Sequence, residues 1–253
     1  MGFTMKGLEV INIDYGDNDA TSAKAIDAYL ESTQTYRDWL GLSAIGHKCP
    51  RYMWYQARGM QNQTEPKQAR LLRTFAFGNA IEDLLALWLK GAGFELTCQQ
   101  WKVKFTRGDS VLQGSIDGKI SGLLEAPATT HLWECKSMKN ASFNKLLKSG
   151  YEAYDEKYRT QIHCYAHGLG LSRIYVTVLN KDTSQIYTER IRTDAEFAES
   201  QLNRAFDIVE LKHPPDGSCP NSSWYEAKWC DYREFCFGGR RAVVQKKKGD
   251  VPW

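Results

Sequence analysis

The sequence has no long apolar run, no internal repeat, no low-complexity linker and little excess of either charge. No segment approaches the roughly 18 consecutive apolar residues of a membrane span, and the first residues lack the basic start and apolar core of a secretory signal. We therefore expect a cytoplasmic protein that does not contact a membrane. A net charge of +3 does not by itself indicate a nucleic-acid binder, because basic residues favour such binding only where they cluster.

The cysteine content gives little support for disulfides. The chain has seven cysteines, an odd number, and a reducing compartment disfavours a disulfide framework. Metal ligation or burial in the core remain as explanations, and the positions of the cysteines must decide between them. The hydrophobic share of 42% over 253 residues is enough for one large domain with an extensive core.

The spacing of apolar residues predicts an α/β domain. Helical intervals occur in 20–40 and in 77–96, and the second helix carries an apolar stripe and ends at Gly91 or Gly93; the stripe comprises Ile81, Leu84, Leu85 and Trp88. Beyond it the pattern predicts strands at 101–107, 111–120 and 130–137, a helix at about 154–168, strands at 173–180 and 184–192, and a helix at 194–212. This order indicates a central mixed β-sheet flanked by helices.

The chain divides into three predicted parts. Residues 1–44 form an N-terminal helical extension, and 45–237 form the main domain, whose cysteine-bearing segment starts at about residue 213. Residues 238–253 form a basic tail.

The stretch HLWECKSMKN, 131–140, places two charges in an apolar strand. Side chains of a strand alternate between its faces, so Leu132, Glu134 and Lys136 share one face while Trp133 and Cys135 share the other. Burying two charges on one face costs several kcal/mol unless they are paired or bind something. Glu134 and Lys136 therefore form either a structural ion pair or part of a site.

An acid-x-Lys tripeptide alone carries little information, since this chain also has it at 65–67, 117–119, 155–157 and 226–228. Glu134 differs in its context, because the preceding predicted strand would place Asp117 beside it. Two carboxylates on neighbouring strands suit Mg²⁺ or Mn²⁺, and a nearby lysine can orient or deprotonate a water. This is the chemistry of phosphodiester hydrolysis. The alternative for Asp117 is a turn residue before Gly118.

An Asp followed after a variable gap by Glu-x-Lys resembles the motif of the PD-(D/E)XK nuclease superfamily. Gln161 and Tyr165, at i and i+4 of the next helix, resemble the Q-x-x-x-Y motif of RecB-like nucleases. Gly78 and Glu82 resemble the G-x-x-x-E motif of lambda-exonuclease-like members, where RecB-like members often have His. The resemblance spans about 45–237 and implies a restriction-endonuclease-like core.

The resemblance implies a metal-dependent DNA exonuclease of phage or bacterial replication, recombination or repair, acting in the host cytoplasm if phage-encoded. Asp117 and Glu134 would hold Mg²⁺ or Mn²⁺, and Glu82 would ligate it directly or through water. Lys136 would position the nucleophile, and the carbonyl oxygen of Cys135 would add a ligand. The partners implied are DNA, a recombinase or single-strand annealing protein, and a second copy of the chain.

Gln161 and Tyr165 would contact the DNA backbone or brace Lys136. The alternatives are a solvated helix residue for Glu82 and an ordinary surface pair for Gln161 and Tyr165. For the whole protein, the alternatives are a catalytically silent DNA-binding adaptor with the same fold and a restriction-type endonuclease, for which the sequence offers no separate recognition domain.

Four cysteines lie near the two ends of the main domain, and they resemble the iron–sulfur staple of the AddB nuclease and of CRISPR-associated RecB-like exonucleases; they are Cys49, Cys219, Cys230 and Cys236. The resemblance implies a 4Fe-4S cluster or Zn²⁺, for which thiolates are suitable ligands. Ala227 stands where the family has a cysteine, and Cys219 is the candidate replacement. Alternatively the site is lost and aromatic residues pack this segment; they are Trp224, Tyr225, Trp229 and Tyr232.

The remaining candidates are less specific. His163 and His167 lie at i and i+4, and without further ligands they indicate a solvated helix face. Cys98 and Cys164 are predicted to be buried apolar residues. Several basic residues are candidate contacts for DNA phosphates, although a single one is more often a surface charge; they are Arg51, Arg58, Arg73, Lys145, Lys148 and Arg159.

Overall fold

The computed structural model describes residues 21–35, 39–60 and 68–239. The predicted tail beyond residue 239 and the first 20 residues of the predicted N-terminal extension lie outside them. No helix within the described ranges is long and apolar enough to cross a membrane.

The described residues form nine α-helices and eight strands. The helices are α1 (Thr21–Ser32), α2 (Pro50–Ala57), α3 (Ala69–Gly91), α4 (Asn140–Ser149), α5 (Tyr151–Tyr154), α6 (Glu156–Gly168), α7 (Ala195–Glu210), α8 (Tyr225–Lys228) and α9 (Arg233–Phe237). The strands are β1 (Leu40–Gly41), β2 (Glu95–Thr97), β3 (Lys102–Arg107), β4 (Ser110–Ser115), β5 (Gly118–Ser121), β6 (His131–Met138), β7 (Arg173–Asn180) and β8 (Ile186–Arg192).

The strands form two mixed sheets, which confirms the predicted α/β class. The larger sheet has the order β2-β5-β6-β7-β8, with β6 and β7 parallel and the other neighbours antiparallel. The smaller sheet has the order β1-β4-β3. One central sheet was expected, and the second arises because the strand predicted over 111–120 is in fact two strands.

The chain passes from one sheet to the other at Ile116 and Asp117. Ser115 still pairs with Lys102 in the small sheet, whereas Gly118 pairs with Trp133 in the large one. At the crossing, the Ile116 amide donates to the Trp101 carbonyl oxygen at 3.0 Å. Asp117 therefore lies between the two sheets, at the edge of β6.

Three predicted helices have different bounds. The helix predicted over 20–40 ends at Ser32, and the one predicted from residue 77 begins earlier, at Ala69. The helix predicted near 154–168 is α6, which begins at Glu156 because the extended backbone of Asp155 separates it from α5. The Asp155 carboxylate accepts from the Lys157 amide at 2.8 Å. This side-chain cap satisfies one of the free amides at the start of α6.

Two buried clusters lie on opposite faces of the large sheet. Leu132 belongs to the cluster beneath α6 and α7, while Trp133 and Cys135 belong to the cluster beneath α3. The alternation predicted for β6 is thus confirmed. On α3 the packing residue of the predicted stripe is Leu85, which is buried, whereas Leu84 is exposed.

Candidate active site

Glu134 and Lys136 form an ion pair in the middle of β6. The Lys136 Nζ contacts Glu134 Oε1, and the Glu134 side chain is fully buried whereas that of Lys136 is 23% exposed. The ammonium also lies 5.5 Å from the ring centre of Tyr158 on α6. The pair is therefore held from the helix side of the sheet, and Lys136 is its accessible member.

Asp117 is fixed beside this pair by the backbone of β6. Its Oδ2 accepts a hydrogen bond from the Cys135 amide at 2.7 Å. The bond links Asp117, where the chain passes from one sheet to the other, to Cys135, which lies between Glu134 and Lys136 in the strand. Asp117 is therefore more than a turn residue before Gly118, because its carboxylate is anchored at the charged pair.

Glu82 approaches from α3. Its Oε1 accepts from Gln100 Nε2 at 2.6 Å, and the side chain is half-buried. Burial, reinforced by the negative charge of Asp117, raises the pKa of Glu82 to about 7, although the Gln100 hydrogen bond and Lys136 oppose the rise. Glu82 therefore interacts electrostatically with Asp117 and Lys136, so it is not an isolated solvated helix residue.

Burial dominates the electrostatics of the other two acids. It raises the pKa of Glu134, with Lys136 opposing and Asp117 reinforcing the rise. It also raises the pKa of Asp117, against the effects of Lys136 and the Cys135 amide. Burial lowers the pKa of Lys136, but the carboxylates of Glu134 and Asp117 outweigh it and hold that pKa well above its usual value. The three carboxyl groups thus all interact electrostatically with the ammonium of Lys136.

This donor set suits a hard divalent cation. Among the described residues, Glu134 Oε2 is a buried acceptor without a hydrogen-bond partner. Three oxygen donors in a low-dielectric setting are typical of Mg²⁺ and Mn²⁺ sites. In the described part of the chain, however, no three His, Cys, Asp or Glu side chains lie close enough together to hold an ion as they stand. The cation, and the role of the Cys135 carbonyl oxygen, stay predictions.

Gln161 and Tyr165 lie on α6 and are both buried, at 8% and 2% exposure, so the surface-pair alternative is wrong. Tyr165 reaches the smaller sheet: a Cβ added at Gly114 would lie 2.2 Å from its hydroxyl oxygen. The absence of a side chain at Gly114 therefore lets the tyrosine pack against β4. The proposed contact of these residues with DNA or Lys136 stays a prediction.

The basic candidates divide into paired and exposed residues. Arg73 pairs with Asp27 of α1, Arg51 donates to the Pro215 carbonyl oxygen at 2.6 Å, and Arg159 lies 3.9 Å above the Phe197 ring. Two other candidates are exposed on α4, namely Lys145 and Lys148. Arg58 lies 3.8 Å above the Trp54 ring and donates to the Val209 carbonyl oxygen at 3.2 Å. Of the six candidates, the lysines of α4 are thus the ones whose charge faces solvent.

The prediction of a solvated histidine face is wrong for His163, which is fully buried. Its Nε2 lies 2.8 Å from Glu152 Oε1, and its Nδ1 accepts from the Asp194 amide at 3.0 Å. Since Nδ1 accepts, Nε2 carries the proton and donates to Glu152. His163 therefore joins α5, α6 and the start of α7.

All four candidate cluster cysteines line one cavity of about 840 Å³, between α2, the start of α6 and the C-terminal segment; they are Cys49, Cys219, Cys230 and Cys236. The Ser218 amide donates to Cys49 Sγ at 3.4 Å. Ala227, at the position of the missing cysteine, is buried. The structure therefore gathers the four thiols at one cavity, although within the described ranges they do not form a closed metal site.

Of the aromatic residues expected to pack this segment instead, only Tyr232 does so. It is fully buried, and its ring lies 5.0 Å from that of Tyr52 and 5.3 Å from that of Tyr55. Trp229 is 78% exposed. Cys164 is buried as expected, whereas Cys98 is half-buried.

Sequence reasoning missed three residues around the charged pair: Gln100, Tyr151 and Tyr158. Gln100 contacts Glu82 across a turn that follows β2, and a lone glutamine has no motif that would indicate this. Tyr151 and Tyr158 stack with ring centres 5.6 Å apart, and Tyr151 begins α5, which precedes the helix predicted at about 154–168. The order of tyrosines in the sequence offered no signal for this stack.

The chain matches no protein-family model and no curated protein. Among solved structures it is similar to the protein SSO0001, with a TM-score of 0.51 and 14% identity over 85% of this chain and 96% of that one. It is also similar to the alkaline exonuclease LHK-Exo from Laribacter hongkongensis, with a TM-score of 0.51 and 16% identity over 74% of this chain and 90% of that one. The second likeness shows that the chain shares the fold of a nuclease.

Proposed function

We propose that the protein is a divalent-metal-dependent deoxyribonuclease that acts as an exonuclease. The observation that carries the proposal is the buried Glu134 and Lys136 pair, with Asp117 anchored to the amide between them. Burying such charges is costly, and their arrangement matches what phosphodiester hydrolysis requires. The likeness to an alkaline exonuclease supports the same class of reaction.

In this proposal Glu82, Asp117 and Glu134 hold Mg²⁺ or Mn²⁺. When bound, the cation lowers the pKa of a water and neutralises charge that develops on the phosphate. Lys136, fixed by Glu134 on one side and by the Tyr158 ring on the other, donates a hydrogen bond to the attacking water. The Cys135 amide keeps the Asp117 carboxylate at the strand.

DNA is the proposed substrate, and the exposed lysines of α4 are proposed to contact its phosphates. A role in phage or bacterial recombination or repair, with a recombinase or annealing protein as partner, follows from the same resemblance. The adaptor alternative is less favoured because a module without chemistry has no use for a buried carboxylate oxygen that lacks a partner among the described residues.

We also propose that Cys49, Cys219, Cys230 and Cys236 hold a 4Fe-4S cluster or Zn²⁺. The support is that all four line one cavity although Cys49 is far from the others in sequence. Burial raises the pKa of Cys230 to about 11 and also raises that of Cys219, so these thiols need a metal to ionise at neutral pH.

The experiment compares end-labelled linear DNA with circular DNA, each with Mg²⁺, Mn²⁺ or EDTA. The proposal predicts release of label from linear DNA with either cation, no release in EDTA and no cleavage of closed circles. The same assay is run on the variant Glu134→Gln. Its matched control is Glu125→Gln, since Glu125 is an exposed acid in the loop before β6. Cleavage of circles would replace the exonuclease with an endonuclease, and activity in EDTA would contradict the proposal.

A further inference from the structure

Two buried polar atoms near the charged pair lack hydrogen-bond partners among the described residues: Glu134 Oε2 and the hydroxyl oxygen of Tyr151. Such atoms are rare in folded proteins, because a buried polar group without a partner is destabilising. Two of them in one electrostatic environment therefore indicate groups that are kept for a functional state.

Tyr151 is held rigidly in this position. It begins α5 directly after Gly150, whose φ of 75° suits glycine, and its amide donates to Glu189 Oε2 at 2.8 Å. The Tyr187 hydroxyl donates to the same oxygen at 2.5 Å and so fixes that carboxylate. The Tyr151 ring is fully buried and stacks on Tyr158 with an interplanar angle of 18°.

Tyr151 lies near the charged pair, because its ring stacks on Tyr158, whose ring centre is 5.5 Å from Lys136 Nζ. Tyr151 interacts electrostatically with both Glu134 and Lys136. Lys136 already contacts Glu134 Oε1, so Oε2 is the oxygen that can accept a hydrogen bond from the Tyr151 hydroxyl. A carboxylate oxygen has two lone pairs, so Oε2 can accept a hydrogen bond and still face a cation.

We propose that Tyr151 is a positioning residue for Glu134, whose Oε2 accepts a hydrogen bond from the Tyr151 hydroxyl when the site holds its cation. The inference rests on the cation site of the proposed function. Carboxylates that ligate metals are usually held by a further hydrogen bond, and loss of that bond typically costs about 10- to 100-fold in metal affinity or activity. Tyr151 would thus set the orientation in which Glu134 meets both the cation and Lys136.

The test is calorimetric titration of the full chain with Mn²⁺, without DNA, for the wild type, Tyr151→Phe and Tyr154→Phe. Phenylalanine keeps the stacked ring and removes only the hydroxyl. Tyr154 is the matched control, since it also stacks on Tyr158, at 6.0 Å, and belongs to the same helix as Tyr151. Thermal unfolding monitored by circular dichroism accompanies each titration.

We expect Tyr151→Phe to bind Mn²⁺ about 10- to 100-fold more weakly, with an unfolding temperature at or above that of the wild type. Tyr154→Phe should bind as the wild type does. Unchanged affinity in Tyr151→Phe, an equal loss in Tyr154→Phe, or no Mn²⁺ binding by the wild type would each overturn the inference. Normal Mn²⁺ binding without cleavage of DNA would instead contradict the proposed function and leave the role of Tyr151 intact.

Discussion

The carboxylate site and the cysteine cavity differ in what holds their candidate ligands. Asp117 and Glu134 are attached to the paired strands of the large sheet, and a backbone hydrogen bond of 2.7 Å joins Asp117 to β6. The cysteine cavity instead depends on loops and on two helices of four and five residues, α8 and α9. Sheet pairing holds the carboxylate site in place without a ligand. At the cysteine cavity, a bound metal would contribute much of the structural order.

Aromatic packing around Tyr232 joins the end of the second region to α2. Tyr232 packs on Tyr52 and Tyr55 of α2, and Phe235 lies 5.5 Å from Tyr55. The exposed Trp229 adds nothing to this contact. The comparison therefore predicts that changes at the sheet site remove activity with little effect on order, and that changes at the cavity do the reverse.

The largest expected effect is loss of activity in Asp117→Asn. The amide side chain keeps the shape and can still accept from the Cys135 amide, but it removes a charge that the cation needs. We expect a loss of at least about 100-fold in cleavage rate with unchanged thermal unfolding, a magnitude typical of removing one group that stabilises the transition state. Asp109→Asn, in an exposed turn before β4, is the control and should behave as the wild type.

Next in size is the effect of Cys230→Ser on the cavity. If metal stabilises this segment, its loss should lower the unfolding temperature by about 4–8 °C, which corresponds to about 2 kcal/mol in a chain of this size. Iron and zinc content, measured on anaerobically prepared protein, should fall with it. Cys98→Ser, outside the cavity, should change neither quantity; a wild type with no iron and no zinc would mean that these cysteines bind no metal.

The pH dependence of Mn²⁺ binding should also distinguish the carboxylate site from the cysteine cavity. The pKa of Glu82 is raised to about 7, so in the cation-free protein this carboxyl holds a proton below that pH. A cation must displace the proton, and the half-saturating Mn²⁺ concentration should therefore rise at least about tenfold between pH 8 and pH 6, since the pKa of Glu134 is also raised to about 7. In Glu82→Gln binding should be weaker at pH 8 and should change less with pH; a wild-type titration that is flat over this range would place Glu82 outside the site.

The smallest effect is expected from Gln100→Ala. Gln100 donates to Glu82 at 2.6 Å, and this bond favours the ionised form of the carboxyl. Its loss should raise the pKa of Glu82 slightly and raise the half-saturating Mn²⁺ concentration a few-fold at pH 7. Gln99→Ala is the control, because Gln99 accepts from Lys90 and not from an acid. Equal titrations of both variants would contradict a role for Gln100.

Local patterns sufficed to predict where the charged residues of β6 lie. Alternation along a strand has a period of two, so the shared face of Glu134 and Lys136 follows from the sequence alone. Asp117 lies on the strand predicted just before β6, and this placement predicted that it would lie beside Glu134. These inferences succeeded because they depend on neighbours within one strand or on the strand that pairs with it.

The rest of the site depends on contacts between distant parts of the chain. The Asp117-Gly118 pair indicates a turn, but nothing at Ile116 and Asp117 indicates that the chain passes to another sheet there. The contact between Glu82 and Gln100 and the stack of Tyr151 on Tyr158 depend on how helices pack against the sheet. Packing of this kind is set by the whole core and not by a local period.

The central claim is that the Glu134 and Lys136 pair is catalytic and not merely structural. The most direct measurement is the rate of nucleotide release from end-labelled linear DNA in Mn²⁺ for the wild type and Lys136→Ala, with folding of both checked by circular dichroism. The account predicts release by the wild type that stops in EDTA, and a loss of at least about 100-fold in the folded variant. Wild-type release by folded Lys136→Ala protein, or release by the wild type that persists in EDTA, would contradict it.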